Sequence, residues 1–152
     1  QTSGFFPYEA FERHVRPYVD LVFIDIKFAD DDAHQKYVGV SNSQILENLR
    51  RIAADAELEL HPRVPLVPGV TTTTENLSAI LDVLRRAGAR ELSLLPYNPL
   101  GVDMAARLGK SPPAVPRSFM TPREEDAVYS EVAALIRDQT QTRLLTTPET
   151  AR

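Results

Sequence analysis

Cysteine is absent from this chain, and so is tryptophan. Without a thiol there is no disulfide scaffold and no thiolate-ligated metal within these residues. An excess of positive charge is lacking too: 17 Lys and Arg stand against 21 Asp and Glu, a formal charge of −4. That balance argues against a nucleic-acid binder, which usually shows a basic face. No apolar run approaches the roughly 18–20 residues a bilayer span requires, and no signal peptide, low-complexity tract or solenoid repeat is visible. What remains is a globular composition, 43% hydrophobic and 25% charged over 152 residues, enough for one domain with a real core and with the cytoplasm as its expected compartment. The chain opens Gln1-Thr2-Ser3-Gly4 without an initiator methionine, which reads as a cut inside a longer protein.

Leu21 to Lys27 is a compact apolar run ending in charge, the pattern of a strand buried on both faces. Ser41-Asn42-Ser43 offers N-cap oxygens before an apolar stripe at Ile45, Leu49, Ile52 and Ala56, which predicts a helix with one face on a core. Leu58 to Val67 is a second strand, stopped by Pro68-Gly69, and Thr71 to Thr74 caps a helix carrying Leu77, Ile80, Leu81 and Leu84. Gly88 stands where a left-handed residue would end that helix, and Glu91 to Tyr97 is a third strand. A Pro- and Gly-rich loop from Asn98 to Met120 follows, then a capping box, Thr121-Pro122-Arg123-Glu124, opening a helix lined by Val128, Val132, Leu135 and Ile136. Tyr8 to Val15 fits a short helix, and the residues beyond Gln139 either add a short strand or fray. Alternating strands and helices mean α/β architecture with parallel strands joined by crossovers. A barrel and an open sheet both fit, and in either one ligands bind at the C-terminal strand ends.

The strand-end residues are therefore Thr2, Asp25, Lys27, Arg63 and Asn98. Asp25 and Lys27 lie two apart on one strand and share a face, suited to an amino-acid-like ligand or a cation, or to a plain ion pair. Arg63 sits between Pro62 and Pro65, which remove two ladder donors from what reads as a central strand. It could grip a carboxylate or phosphate, or pair with Asp25. Asn98, held between Pro96 and Pro99, could offer its amide to a base or ribose, though an Asx-turn suits Asn-Pro better. His14 and His34 read as surface residues, and His61 as a strand residue facing a helix; the three histidines show no metal-ligand spacing among themselves. Asp30-Asp31-Asp32 caps a short helix or is simply solvated.

Taken together, Thr2-Ser3-Gly4, Asp25-Ile26-Lys27, Tyr37-Val38-Gly39-Val40-Ser41-Asn42, Arg63 to Gly69 and Leu94 to Gly101 occur in an order and spacing that resemble one family. It is that of the radical S-adenosylmethionine enzymes that activate glycyl-radical enzymes, the pyruvate formate-lyase activating type. The resemblance covers about residues 1–101. It implies that residues 1–152 are the C-terminal part of one radical S-adenosylmethionine domain, strands 4–6 of a partial (β/α)6 TIM-like barrel with the N-terminal half missing. It also implies S-adenosylmethionine and a [4Fe-4S] cluster as cofactors, with a deoxyadenosyl radical taking hydrogen from a glycine of the partner enzyme. Lys27 matches a residue contacting the S-adenosylmethionine carboxylate, Asp25 and Thr2 match positions around a monovalent cation beside it, Asn98 stands at a family His near the nucleoside, and Arg63 belongs to the carboxylate or ribose end. Gln1 and Asn98 depart from the family's acidic residue and His. The cluster's three cysteines would lie upstream of Gln1, so this chain has no iron–sulfur ligand and is expected to be inactive alone. Neither nucleic acid nor membrane is implied as a partner, and an exposed sheet edge would favour self-association. The competing reading is a non-catalytic half-barrel that serves as a structural or protein-interaction domain.

Overall fold

A computed structural model of the chain describes residues 1–101, 107, 109, 114–139 and 143–145. Four parallel strands, β1 (Leu21–Asp25), β2 (Glu59–Pro65), β3 (Glu91–Leu95) and β4 (Arg143–Leu145), pair in sequence order. Among the described residues the helices are α1 (Tyr8–His14), α2 (Asp31–Val38), α3 (Ser43–Ala53), α4 (Thr74–Ala87) and α5 (Pro122–Gln139), with a 3-10 turn at Arg16–Tyr18. The expected α/β class is borne out. The short strand beyond Gln139 is β4, the strand alternative of the two left open.

The sheet has two unlike faces. Val22, Ile24, Val64, Leu66, Leu92 and Leu94 are buried and join Ile45, Leu49 and Ile52 of α3, the four expected residues of α4, and Val132 and Ile136 of α5 in one core. The alternate residues, Phe23, Asp25, His61, Arg63, Glu91 and Ser93, are only half-buried. Helices α3, α4 and α5 pack side by side in order. Sequential strands with one covered face make a singly wound wall rather than a doubly wound sandwich. Removing a core side chain such as Leu84, fully buried, would cost about 2–5 kcal/mol, through lost transfer energy and the cavity left behind.

The caps of α2, α4 and α5 are those the sequence announces, whereas Asn42 at the N-cap of α3 makes no side-chain cap hydrogen bond, its amide being turned to Phe28 O and Ala29 O. Thr73 accepts from the Asn76 N–H (3.3 Å), Gly88 ends α4 with φ 78°, and Thr121 and Glu124 close a reciprocal box, Glu124 N–H to Thr121 Oγ1 (3.3 Å) and Thr121 N–H to Glu124 Oε2 (2.7 Å). Asp30 caps α2 through the Ala33 N–H (2.8 Å). Other expectations are corrected. Ala56 lies beyond the end of α3 and is exposed, because the helix stops at Ala53. All three core strands are shorter than the apolar runs that announce them. For β1 the cause is Pro65: the last ladder bond to this edge is Ile26 N–H to Arg63 O (2.8 Å), and the next donor position on β2 has no N–H. Register therefore ends at Asp25↔Arg63, and Lys27 stands past the strand. Pro62 acts on the other edge: its nitrogen faces β3, as does Leu66 N–H, which donates to Leu95 O (2.9 Å), and with no donor at 62 the pairing of β2 with β3 begins only at Arg63↔Ser93. Residues 102–106, 108 and 110–113 of the Asn98–Met120 loop fall outside the described residues; Leu100 and Gly101, at its start, are helical. Among the described residues no helix is long and apolar enough to cross a membrane.

Candidate functional site

At the C-terminal ends of β1 and β2 a charged row crosses the half-buried face. Arg63 directs both Nε (2.9 Å) and Nη2 (2.6 Å) to Asp25 Oδ1, and its guanidinium lies 5.1 Å from the centroid of the Phe23 ring. The register pair Asp25↔Arg63 sets this contact, and the two side chains retain 20% and 13% exposure, so the pair is only partly hydrated. Thr2 joins the row through its backbone: its N–H donates to Phe23 O (2.9 Å), its carbonyl accepts from Asp25 N–H (3.2 Å), and its hydroxyl accepts from Gly4 N–H (3.0 Å). Lys27 shares the parity of Asp25 and is half-buried, and its ammonium has no hydrogen bond or ion pair with any described residue. One carboxylate with two cations leaves a net positive charge at the strand ends, open to an anion. The sequence-predicted residues Thr2, Asp25 and Arg63 are thus in direct contact, with Lys27 next along. Asn98 is exposed, and its Oδ1 accepts from Leu100 N–H (3.0 Å), the Asx-turn geometry expected of Asn-Pro.

The Gly39-Val40-Ser41-Asn42 segment proves to be scaffolding for the loop after β1. Gly39 ends α2 at φ 87°. Asp31 Oδ1 accepts from Asn42 N–H (2.7 Å), and the Asn42 amide, 3% exposed, donates to Phe28 O and Ala29 O, both at 3.0 Å. The Ser41 hydroxyl and the Asn42 N–H hold the Asp31 carboxyl below the ordinary carboxylate range. His34, expected at the surface, is 2% exposed; its Nδ1 is bound to Val40 O (2.7 Å) and its ring meets Phe28 edge-on. Sequence alone gave it no apolar periodicity; the return of residues 39–42 over α2 buries it.

His61 is also corrected. It shares the half-buried face with Phe23 (ring centroids 5.3 Å apart) instead of facing a helix, because side chains alternate along β2 and the helix side takes Leu60, Pro62 and Val64. Its Nε2 lies 2.8 Å from Glu59 and 3.2 Å from Glu91, a cluster the sequence reading missed and which the Glu59-Leu60-His61 spacing could have signalled. It is the one metal-sized His/Asp/Glu group among the described residues. The imidazole already bridges both carboxylates, and Arg143 Nη2 sits 2.8 Å from Glu91, where it would oppose a cation. The trio reads as a staple between β2, β3 and β4.

Fold and site define a parallel α/β protein with a cationic strand-end site fit for an anionic group. No family model matches the chain. It is 36% identical over 97 residues to the indoleacetate decarboxylase activating enzyme of Tractidigestivibacter scatoligenes, covering 64% of this chain and 31% of that one. It is 34% identical over 112 residues to the (2S)-3-sulfopropanediol dehydratase activating enzyme of Klebsiella oxytoca (72% and 35%). With the isethionate sulfite-lyase activating enzyme of Nitratidesulfovibrio vulgaris it shares 33% over 120 residues (77% and 39%). A domain of pyruvate-formate lyase-activating enzyme from Bacteroides vulgatus matches at TM-score 0.61 and 21% identity, over 88% of this chain and 70% of that one, which speaks to the fold alone. The chain's homologues are glycyl-radical-enzyme activating enzymes of the radical S-adenosylmethionine family, and the resemblance drawn from its motifs is borne out. The chain spans about a third of the length of these curated relatives, 31% to 39%.

Proposed function

We propose that residues 1–152 form the C-terminal part of a radical S-adenosylmethionine activating enzyme, one wall of a partial (β/α)6 barrel completed by upstream chain. The observation that carries this reading is the Lys27 ammonium, without a partner among the described residues and placed beside the Asp25–Arg63 pair at the strand ends. In this reading Lys27 holds the carboxylate of S-adenosylmethionine. Asp25 keeps Arg63 in place, and Arg63 adds positive potential at the same end. The pairing through Oδ1 leaves Asp25 Oδ2 without a hydrogen bond among the described residues, and there, with Thr2, we place a monovalent cation, weakened by the neighbouring guanidinium. Asn98 serves the nucleoside end once its Asx-turn to Leu100 N–H opens.

A [4Fe-4S] cluster, held by cysteines outside this cysteine-free chain, would supply the electron that cleaves S-adenosylmethionine and so the radical that takes a glycine hydrogen. The residues here bind and orient the ligand for that step. The target would be a glycyl-radical enzyme, and relatives named for decarboxylases, dehydratases and a sulfite-lyase extend the candidates well past pyruvate formate-lyase. The test is equilibrium binding of S-adenosylmethionine to the full-length protein carrying its cluster. Lys27→Ala removes a charge-assisted hydrogen bond of about 1.5–3 kcal/mol and is expected to weaken binding roughly ten- to hundred-fold. Unchanged affinity with cluster content intact would reduce the row to an ordinary strand-end ion pair.

A further inference from the structure

Past Asp25 the chain has left the ladder, and its backbone groups must find partners elsewhere. Two asparagines supply them. Asn76, in the first turn of α4, donates from Nδ2 to Lys27 O (3.0 Å) and Thr71 O (2.9 Å), and accepts at Oδ1 from Ala29 N–H (3.3 Å). Asn42 takes the two carbonyls between and beyond, Phe28 O and Ala29 O. Each Nδ2 spends both protons on carbonyls while the Asn76 oxygen faces an N–H, so the amide orientation is fixed by its surroundings. Residues 27–29 are thereby held in one backbone path by a side chain of α4 and one from the residue that precedes α3.

We propose that Asn76 is a positioning residue for the anion held by Lys27: by gripping the Lys27 carbonyl it fixes the backbone from which the ammonium reaches into the site. This rests on the reading of Lys27 given above and deepens it. Aspartate has the shape of asparagine but no donors, so Asn76→Asp keeps the volume, loses the bonds to Lys27 O and Thr71 O, and sets a carboxylate against two carbonyls. A shift of the Lys27 backbone then misplaces the ammonium, and misplacement of a binding group by an ångström is felt strongly.

The experiment uses the full-length protein with its cluster, and two probes: S-adenosylmethionine and its decarboxylated analogue, which lacks the carboxylate. Equilibrium affinities are measured for the wild type, Asn76→Asp, Lys27→Ala and the double variant. Asn76→Asp is expected to weaken S-adenosylmethionine roughly ten-fold, to leave the decarboxylated analogue within about two-fold, and to add little in the Lys27→Ala background, since coupled residues are non-additive. Equal weakening of both probes, full additivity with Lys27→Ala, or no effect of Asn76→Asp while Lys27→Ala is impaired would each overturn the inference. No effect of Lys27→Ala would instead remove the underlying reading. If Asn76→Asp does not accumulate folded, Asn76→Ser, which keeps one donor, is read in the same way.

Discussion

Arg63 reaches across from β2 to Asp25 of β1 with both Nε and Nη2 on a single carboxylate oxygen, 2.9 and 2.6 Å away. The contact joins two residues that are register partners, so the sheet itself sets the geometry and the side chains do little searching. Asp25→Asn would leave a partly buried guanidinium facing an amide. The expected loss of stability is about 1–2 kcal/mol, below the cost of breaking a fully buried pair because the site stays partly hydrated. Urea denaturation would read it. In the full-length protein, exchange of sodium for potassium is expected to alter S-adenosylmethionine affinity in the wild type and not in Asp25→Asn. An ion-independent wild type would remove the cation from the site.

Gly4 tests a second junction. Its φ is 79°, and an added Cβ would meet Ile45 Cγ2 at 3.0 Å and Ile24 Cγ2 at 3.4 Å, while Asn48 Nδ2 donates to its carbonyl at 2.8 Å. Gly88 has the same backbone sign, φ 78°, with nothing within 4 Å. Gly88→Ala is expected to cost about 1 kcal/mol for the left-handed conformation alone. Gly4→Ala adds overpacking against two buried isoleucines, and about 2–4 kcal/mol in all is expected. Chemical denaturation of the two variants side by side gives the comparison, and equal costs would mean the turn at Gly4 yields easily.

Acid sensitivity follows from carboxylates held below their ordinary range. Asp55 is lowered chiefly by its hydrogen bonds from Arg16, and Asp31 by the Ser41 hydroxyl and the Asn42 N–H. A carboxyl whose folded value lies below its unfolded one binds fewer protons when folded. Its stabilisation is therefore complete above the unfolded value and is lost as pH falls through the folded one. The melting temperature is expected to be level from neutrality to about pH 5 and to drop below about pH 4. Asp55→Asn should start lower and fall less steeply; a parallel curve would show that the Arg16 contact does not titrate with folding.

Much of the architecture was legible in the sequence because local physics decides it. The N-caps at Asp30, Thr73 and Thr121, the left-handed Gly88 and the apolar stripe of α4 each depend on residues within a turn or two of one another. The order of strands and helices, and with it the identity of the strand ends, needs no more than that. The candidate residues Thr2, Asp25, Lys27 and Arg63 were found by this route.

What only the tertiary structure decided is where chain segments distant in sequence meet. Pro65 ends β1 from the neighbouring strand, which leaves Lys27 outside the ladder. His34 becomes buried because residues 39–42 fold back over it, and His61 turns to Glu59 and Glu91 because pairing of β2 with β3 brings those carboxylates together. Asn76 lies 49 residues from Lys27 along the chain and 3.0 Å from its carbonyl. Amides of this kind carry no periodicity and no charge pattern. Their partners are backbone atoms, which every residue possesses, so only the packed fold shows which ones they hold.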